Sequence, residues 1–236
     1  MMEELKKLLE PYQVECTDVQ LQQFETFYRL LLEWNEKMNL TAITEEKEVI
    51  VKHFFDSITP AFYYHLSNQK MIDVGAGAGF PSIPLKICFP ELKMVLLDSL
   101  NKRINFLKIV GEKLGFTDFE CVHGRAEELG QKNIYRESFD IGIARAVARL
   151  NILVELTLPF VRKNGMMIAM KGSHALDEIA EAKKAIEILG GELKETKVFD
   201  LPYEYGERTI ILLDKTKNTP KKYPRKPGTP NRQPII

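Results

Sequence analysis

The stretch KMIDVGAGAGFPSIPL (residues 70–85) decides the fold. An apolar run of strand length ends at Asp73 and Val74. Glycines at 75, 77 and 79 then alternate with alanine, and a run of helical character follows. A strand, a glycine turn and a helix in this order make up the ligand-holding unit of doubly wound α/β sheets. The chain repeats the rhythm outward from here. Apolar patterning predicts strands at 71–74, 94–98, 119–123, 139–144 and 165–171, with helices at 82–88, 102–114, 150–161 and 175–189. Such alternation predicts a mostly parallel sheet with its ligand at the carboxyl ends of the strands. Two last strands, 193–201 and 207–213, have only the PYEYG turn between them and predict an antiparallel hairpin at the sheet edge.

Upstream of the glycine stretch the period changes. Leu21, Phe24, Phe27, Tyr28, Leu31, Trp34 and Met38 recur at spacings of three and four, which predicts a helix over 17–39 with a broad buried face. Thr17 and Gln20 form a capping-box pattern at its start. Trp34, at this spacing, reads as core and not as a base-stacking platform. A second helix is predicted over 45–58. On it His53 and Asp56 stand three apart, placed either to face a ligand or to make a hydrogen bond on the helix surface. The expected organisation is a helical module (1–66) packed on an α/β core (67–214), followed by a basic, proline-rich tail (215–236).

Length and composition allow one sizeable α/β core. No apolar run approaches the roughly 18 residues of a membrane span, and MMEELKKLLE lacks the apolar heart of a signal peptide. Cys16, Cys88 and Cys121 are odd in number and lack metal-ligand spacing, so reduced thiols, a cytoplasmic protein and no metal are expected. The net charge of zero hides a strong asymmetry. Seven Lys and Arg and five prolines follow the last acidic residue, Asp214. The tail reads either as a solvated end or as an arm that meets phosphate; Lys221, Lys222, Arg225 and Lys226 are its candidate contacts.

The glycine loop differs from a dinucleotide fingerprint in two respects. Asp73 stands at the strand end, where it suits a ligand ammonium better than a pyrophosphate. Pro81 and Pro84 remove N–H donors that a phosphate on the following helix would use. Asp98 ends the next strand, 23 residues beyond Gly75, where a carboxylate accepts ribose hydroxyls. The strand after that ends in HGRAEEL, whose Ala126 and Glu127 sit on a loop positioned to cover an adenine. A ligand with a cationic amino-acid end and a nucleoside end fits all three strand ends, and S-adenosylmethionine is such a ligand. Gly77 marks the closest backbone approach to it.

The motifs WNEKMNLT (34–41), KHFFDSI (52–58), DVGAGAGFPSIPL (73–85), LDSLNKR (97–103), RAEEL (125–129) and ARAVARL (144–150) give a resemblance to the bacterial small-subunit ribosomal RNA guanine-N7 methyltransferases, the RsmG or GidB family. The resemblance extends over most of the chain. It implies a Rossmann-like S-adenosylmethionine-dependent methyltransferase with a helical N-terminal addition. It also implies cofactor contacts at Gly75, Phe80, Ala126, Glu127 and Arg145, and a guanine of 16S ribosomal RNA as the target. Small-subunit RNA or a ribosomal particle is then the partner.

The strand 139–144 ends without the Asn/Asp-Pro-Pro-aromatic element that polarises an exocyclic amine, and no cysteine is placed for carbon-5 attack. Guanine N7 needs neither, because its lone pair is free at neutral pH and no proton leaves. No general base is therefore expected, and positioning carries the rate. Because N7 faces the methyl group, the arginine fork onto O6 and N7 is unavailable for recognition. Arg149 and Lys171, at strand ends, are further candidates for RNA contact. Three rivals stand beside this reading: a methyltransferase acting at another RNA position or on a small molecule, a nicotinamide-dependent oxidoreductase, and a non-catalytic module that keeps the pocket.

Overall fold

The computed structural model describes residues 2–236. Helix α1 (Met2–Leu9) leads into α2 (Asp18–Met38), whose first turn closes the capping box: Gln20 N donates to Thr17 Oγ1, and Thr17 N donates to Gln20 Oε1. The second predicted helix is one rod with a widened middle. α3 (Glu46–Val49) passes through a π-type turn (Ile50–Phe55) into α4 (Asp56–Ile58). Such a turn inserts one residue and re-aims the side chains beyond it, a device frequent at functional sites. Both His53 and Asp56 are buried there.

Seven strands form one sheet: β1 (Lys70–Val74), β2 (Lys93–Asp98), β3 (Phe119–His123), β4 (Phe139–Arg145), β5 (Val161–Lys171), β6 (Gly191–Asp200) and β7 (Glu207–Lys215). Their order is β3-β2-β1-β4-β5-β7-β6. β1 to β5 pair in parallel, and β7 runs antiparallel between β5 and β6, as the hairpin requires. The connecting helices are α5 (Ser82–Cys88), α6 (Asn101–Lys113), α7 (Ala126–Leu129), α8 (Leu150–Thr157) and α9 (Ala175–Ile188). α8 stops short of its expected end at residue 161 because Pro159 has no N–H to continue it. β5 accordingly begins earlier, at Val161. The RAEEL loop folds into the single turn α7.

Side-chain alternation along the strands assigns each face. Ile141 and Ile143 join a core built from α1, α2, the widened helix, α5 and α6. Ala144, Met167 and Ala169 face α8 and α9 instead. Phe24, Phe27 and Phe54 belong to the same apolar cluster as Met71 of β1, so the N-terminal helices share their core with the sheet. Trp34 is only half-buried, with its ring 5.7 Å from that of Phe106. Cys16 and Cys88 are buried free thiols that share a hydrogen bond, with sulfurs 3.9 Å apart. Among the described residues no helix is long and apolar enough to cross a membrane.

The tail departs from expectation. It is neither a solvated end nor a free arm, but a strap fixed to the β3–β4 side of the body. Arg136 donates to Thr219 O (2.8 Å) and Tyr223 O (2.7 Å), and Tyr223 is buried. Arg225 meets Glu155 as a fork, Nε to Oε1 at 2.9 Å and Nη2 to Oε2 at 2.6 Å, and Glu155 has no exposed surface. Gly228 N donates to Glu127 Oε1 (2.9 Å) before a last turn, α10 (Thr229–Arg232). The prolines that exclude a long helix leave backbone carbonyls unpaired, and Arg136 uses them. Lys215, placed with the tail by charge, is the buried last residue of β7, its Nζ donating to Leu158 O at 2.7 Å. Lys221, Lys222 and Lys226 remain exposed.

Candidate active site

The glycine loop is built against the end of β2. Gly75 N and Ala76 N both donate to Leu97 O, at 2.8 and 3.0 Å. Asp98 fixes the next residues: its Oδ2 accepts from Gly77 N (2.9 Å) and its Oδ1 from Leu100 N (2.8 Å). Gly75, Gly77 and Gly79 all have φ between 59° and 93°, the left-handed region that glycine enters without strain. The three differ in surroundings. A Cβ on Gly75 would stand 2.8 Å from Val147, and one on Gly79 2.5 Å from Ile83. At Gly77 the nearest atom would be 3.9 Å away, so that position opens onto free space.

That space is a cleft of about 410 Å³ at the carboxyl edge of the sheet, lined by Gly75, Gly77, Phe80, Asp98, Arg103 and Arg145 among others. Phe80 is held from two directions. The His53 ring stacks on it at 4.4 Å and 20°, and the Arg145 guanidinium lies 5.0 Å from its centroid. Arg145 Nη1 in turn donates to Asp56 Oδ2 (3.1 Å), while Arg208 Nε lies 3.3 Å from Asp56 Oδ1. Thr41 Oγ1 shares a hydrogen bond with His53 Nε2 at 2.8 Å. Burial, reinforced by the Arg145 and Lys52 charges, pushes the His53 pKa down to about 3, so its imidazole is neutral at physiological pH.

A second cavity of about 500 Å³ adjoins the first. Lys52, Asp56, Lys171, Glu178 and Arg208 line it, and the turn Arg145-Ala146-Val147 walls both. One cavity therefore ends on glycine backbone and a carboxylate, and its neighbour on a cluster of cations.

The structure brings Gly75, Gly77, Phe80, Asp98 and Arg145 together in the first cleft. Ala126 and Glu127 do not line it. Glu127 is buried, and its Oε1 accepts from Gly228 N of the tail. Asp73 does not face the cleft either. It is wholly buried, accepts from Ser82 Oγ, and has its other oxygen without a hydrogen-bond partner. Burial raises its pKa to about 7, against the Ser82 hydrogen bond and the Arg145 charge.

Among the RNA candidates, Lys171 is paired with Glu178 at 2.7 Å and bonded to Ala148 O, with a side chain 8% exposed. It shapes the second cavity and does not extend from it. Arg225 is consumed by Glu155. Arg149 pairs with Glu181 at the surface, where both side chains stay about half exposed. Arg208 escaped sequence reading, since nothing in an edge-hairpin residue signals that it meets a helix residue 152 positions earlier.

The donor set fits S-adenosylmethionine. Asp98 is nearly buried, lines the cleft and, beyond its bonds from Gly77 N, Leu100 N and Arg103, keeps a lone pair of Oδ1 for a hydroxyl donor. The missing Cβ at Gly77 leaves the backbone open to a ligand, and the volume lies within the small-molecule range.

Comparison with known proteins agrees. The family model described as GidB, rRNA small subunit methyltransferase G, matches residues 20–210. The chain is 58% identical over 235 residues to the ribosomal RNA small subunit methyltransferase G of Bacillus cereus (strain B4264), covering 99% of this chain and 98% of that protein. It is 57% identical, with the same coverage, to the protein of that name from Bacillus thuringiensis (strain Al Hakam). Among solved structures, an O-methyltransferase from Bacillus cereus in complex with SAH superposes with a TM-score of 0.57 at 14% identity, covering 91% of this chain and 100% of that one. TYW2 of M. jannaschii in complex with AdoMet gives 0.52 at 15% identity, covering 68% and 74%. These two share the Rossmann-like methyltransferase fold.

Proposed function

The chain belongs to the rRNA small subunit methyltransferase G family, and from that membership we propose that it methylates N7 of a guanine in 16S ribosomal RNA with S-adenosylmethionine. The observation that carries the chemistry is the shared wall Arg145–Val147. It sets a nucleoside-binding cleft against a cation-lined cavity of a size to take a base.

S-adenosylmethionine, when bound, supplies a methyl group on a sulfonium. The protein's part is positioning. Asp98 offers acceptors to the ribose hydroxyls and, through Gly77 N, holds the loop open. Gly75 and Phe80 are the further cofactor contacts, with Phe80 kept in place by His53 and Arg145. No side chain has to take a proton, since N7 carries none. Neutral His53 is consistent with this, as its role is to pack Phe80. Aligning the reacting atoms in a site that excludes water supplies on the order of 7–11 kcal/mol of barrier reduction.

Around the second cavity Lys52, Arg145, Arg149, Lys171 and Arg208 outnumber Asp56 and Glu178, and this excess gives it positive charge toward RNA phosphate. Arg149, Lys221, Lys222 and Lys226, all exposed, are the contacts proposed for the surrounding backbone. A ribosomal RNA substrate sets the work in the cytoplasm, on naked RNA or on a particle. Nucleoside mass mapping of 16S RNA from cells with and without the protein tests the reading. An N7-methylguanosine present only with the protein is expected, and identical maps would remove the assignment. Naked RNA and small subunits offered in parallel with S-adenosylmethionine distinguish the substrate form.

A further inference from the structure

The tip of the last hairpin stands where the topology forces it. β7 runs antiparallel to β5, with Thr209 opposite Lys171, so its first residues lie at the edge where β5 ends. The turn Pro202–Gly206 therefore overhangs the edge that carries both cavities. Its backbone is strained. Tyr203 and Glu204 have φ of 60° and 59°; a bulky side chain in the left-handed region is an outlier. Tyr203 nevertheless leaves half its surface exposed. A large aromatic is thus held in a strained turn with one half of its surface open to solvent.

Tyr203 and Tyr205 form an edge-on pair, with centroids 6.4 Å apart at 71°. Each ring carries a lysine: Lys47 Nζ lies 4.2 Å from the Tyr203 centroid, and Lys52 Nζ, which also pairs with Glu48 on its own helix, lies 4.5 Å from that of Tyr205. The Glu4 carboxylate near the Tyr203 hydroxyl raises its pKa. Lys52 also lines the second cavity, together with Arg208, two residues beyond Gly206. Aromatic faces interleaved with cations thus run continuously from solvent to the cavity. Single-stranded nucleic acid is the ligand this chemistry suits: bases stack on the rings whatever their sequence, and the displaced ammonium groups turn to phosphate.

We propose that the β6–β7 tip is an RNA platform, on which Tyr203 and Tyr205 stack unpaired bases flanking the target guanine while Lys47 and Lys52 meet the adjoining phosphates. The proposal rests on the ribosomal RNA reading above.

The test measures affinity for unmodified 16S RNA and for a single-stranded oligonucleotide from it, as a function of salt, alongside calorimetry with S-adenosylmethionine. Tyr203→Ala is expected to weaken RNA binding by about 5- to 150-fold, with an unchanged salt slope because no charge is lost. Tyr203→Phe should bind like wild type. Lys47→Ala should lower the magnitude of the log–log slope by about 0.7. Tyr203→Gly relieves the strain, so it should melt higher while binding RNA more weakly, a combination that a purely structural turn would not give. Cofactor affinity should stay the same throughout. Wild-type methylation together with full RNA affinity in Tyr203→Ala would overturn the platform and leave the function standing. Unchanged binding to naked RNA, with methylation lost only on particles, would also overturn it, because the tip would then serve a protein surface. A wild-type protein that neither binds nor methylates 16S RNA would remove the reading and the platform together.

Discussion

Arg145 Nη1 reaches Asp56 Oδ2 at 3.1 Å across 89 positions of sequence. That contact keys the end of β4 to the widened N-terminal helix, and so joins the wall of both cavities to the module that holds His53 against Phe80. Arg145→Gln leaves a carboxylate with little solvent access and only Arg208 as counter-charge. We expect a loss of about 3 kcal/mol, at the low end for a broken buried pair because Arg208 remains. Methyl transfer should fall with it. Urea denaturation and single-turnover methylation check the two effects separately.

Asp73 and His53 should give opposite slopes of stability against pH. His53 is held near 3, below its unfolded value of 6.5, so acidification from 6.5 toward 3 favours the unfolded state, which binds the proton. Asp73 is held near 7, above its unfolded 3.8, so acidification from 7 toward 3.8 favours the folded state. In the overlap, about pH 4 to 6.5, the two largely cancel. Asp73→Asn removes one side of the balance. Its stability should drop on acidification by roughly 1 kcal/mol per pH unit, where wild type stays nearly level. Parallel curves for the two proteins would show that Asp73 is not protonated in the fold.

The glycine loop predicts an order of damage. Gly79→Ala and Gly75→Ala drive a Cβ into Ile83 and Val147, so both should melt lower than Gly77→Ala, which meets only the strain of positive φ, about 1 kcal/mol. Gly77→Val should instead act on the ligand, because its side chain points into the open cleft. Calorimetry should find cofactor binding lost in a protein that still unfolds cooperatively.

Asp98→Ala removes the acceptor for Gly77 N as well as the ribose contact proposed for it. Cofactor affinity should fall by about 1–3 kcal/mol, with fold retained. A folded Asp98→Ala protein with wild-type affinity would take this residue out of the site.

The tail separates charge that binds from charge that builds. Arg225→Ala strands the fully buried Glu155 and should cost about 3–5 kcal/mol. Changing Lys221, Lys222 and Lys226 together to alanine should leave stability within roughly 0.5 kcal/mol per site. The triple variant tests phosphate contact without removing the tail's anchors at Arg136 and Glu155. If these lysines reach the backbone of naked RNA, its salt slope should flatten by about 2.

Local signals set much of this molecule. Apolar period, the capping box at Thr17, the three glycines with positive φ and the carboxylate closing β2 are each fixed within a few residues of chain. The sheet, the loop and Asp98 were therefore legible from sequence, as was Arg145 by resemblance of its motif. What the sequence left undecided were partnerships across the fold. Whether a cation meets RNA or a buried carboxylate depends on which element lies opposite it. Arg225 met Glu155, Lys171 met Glu178, and Gly228 claimed the Glu127 side chain. The same holds for Arg208, brought to Asp56 by a strand inserted antiparallel between β5 and β6. Composition marks such residues as charged. Only tertiary packing, which removes water from one side chain and leaves it around another, decides which charges remain available to a ligand.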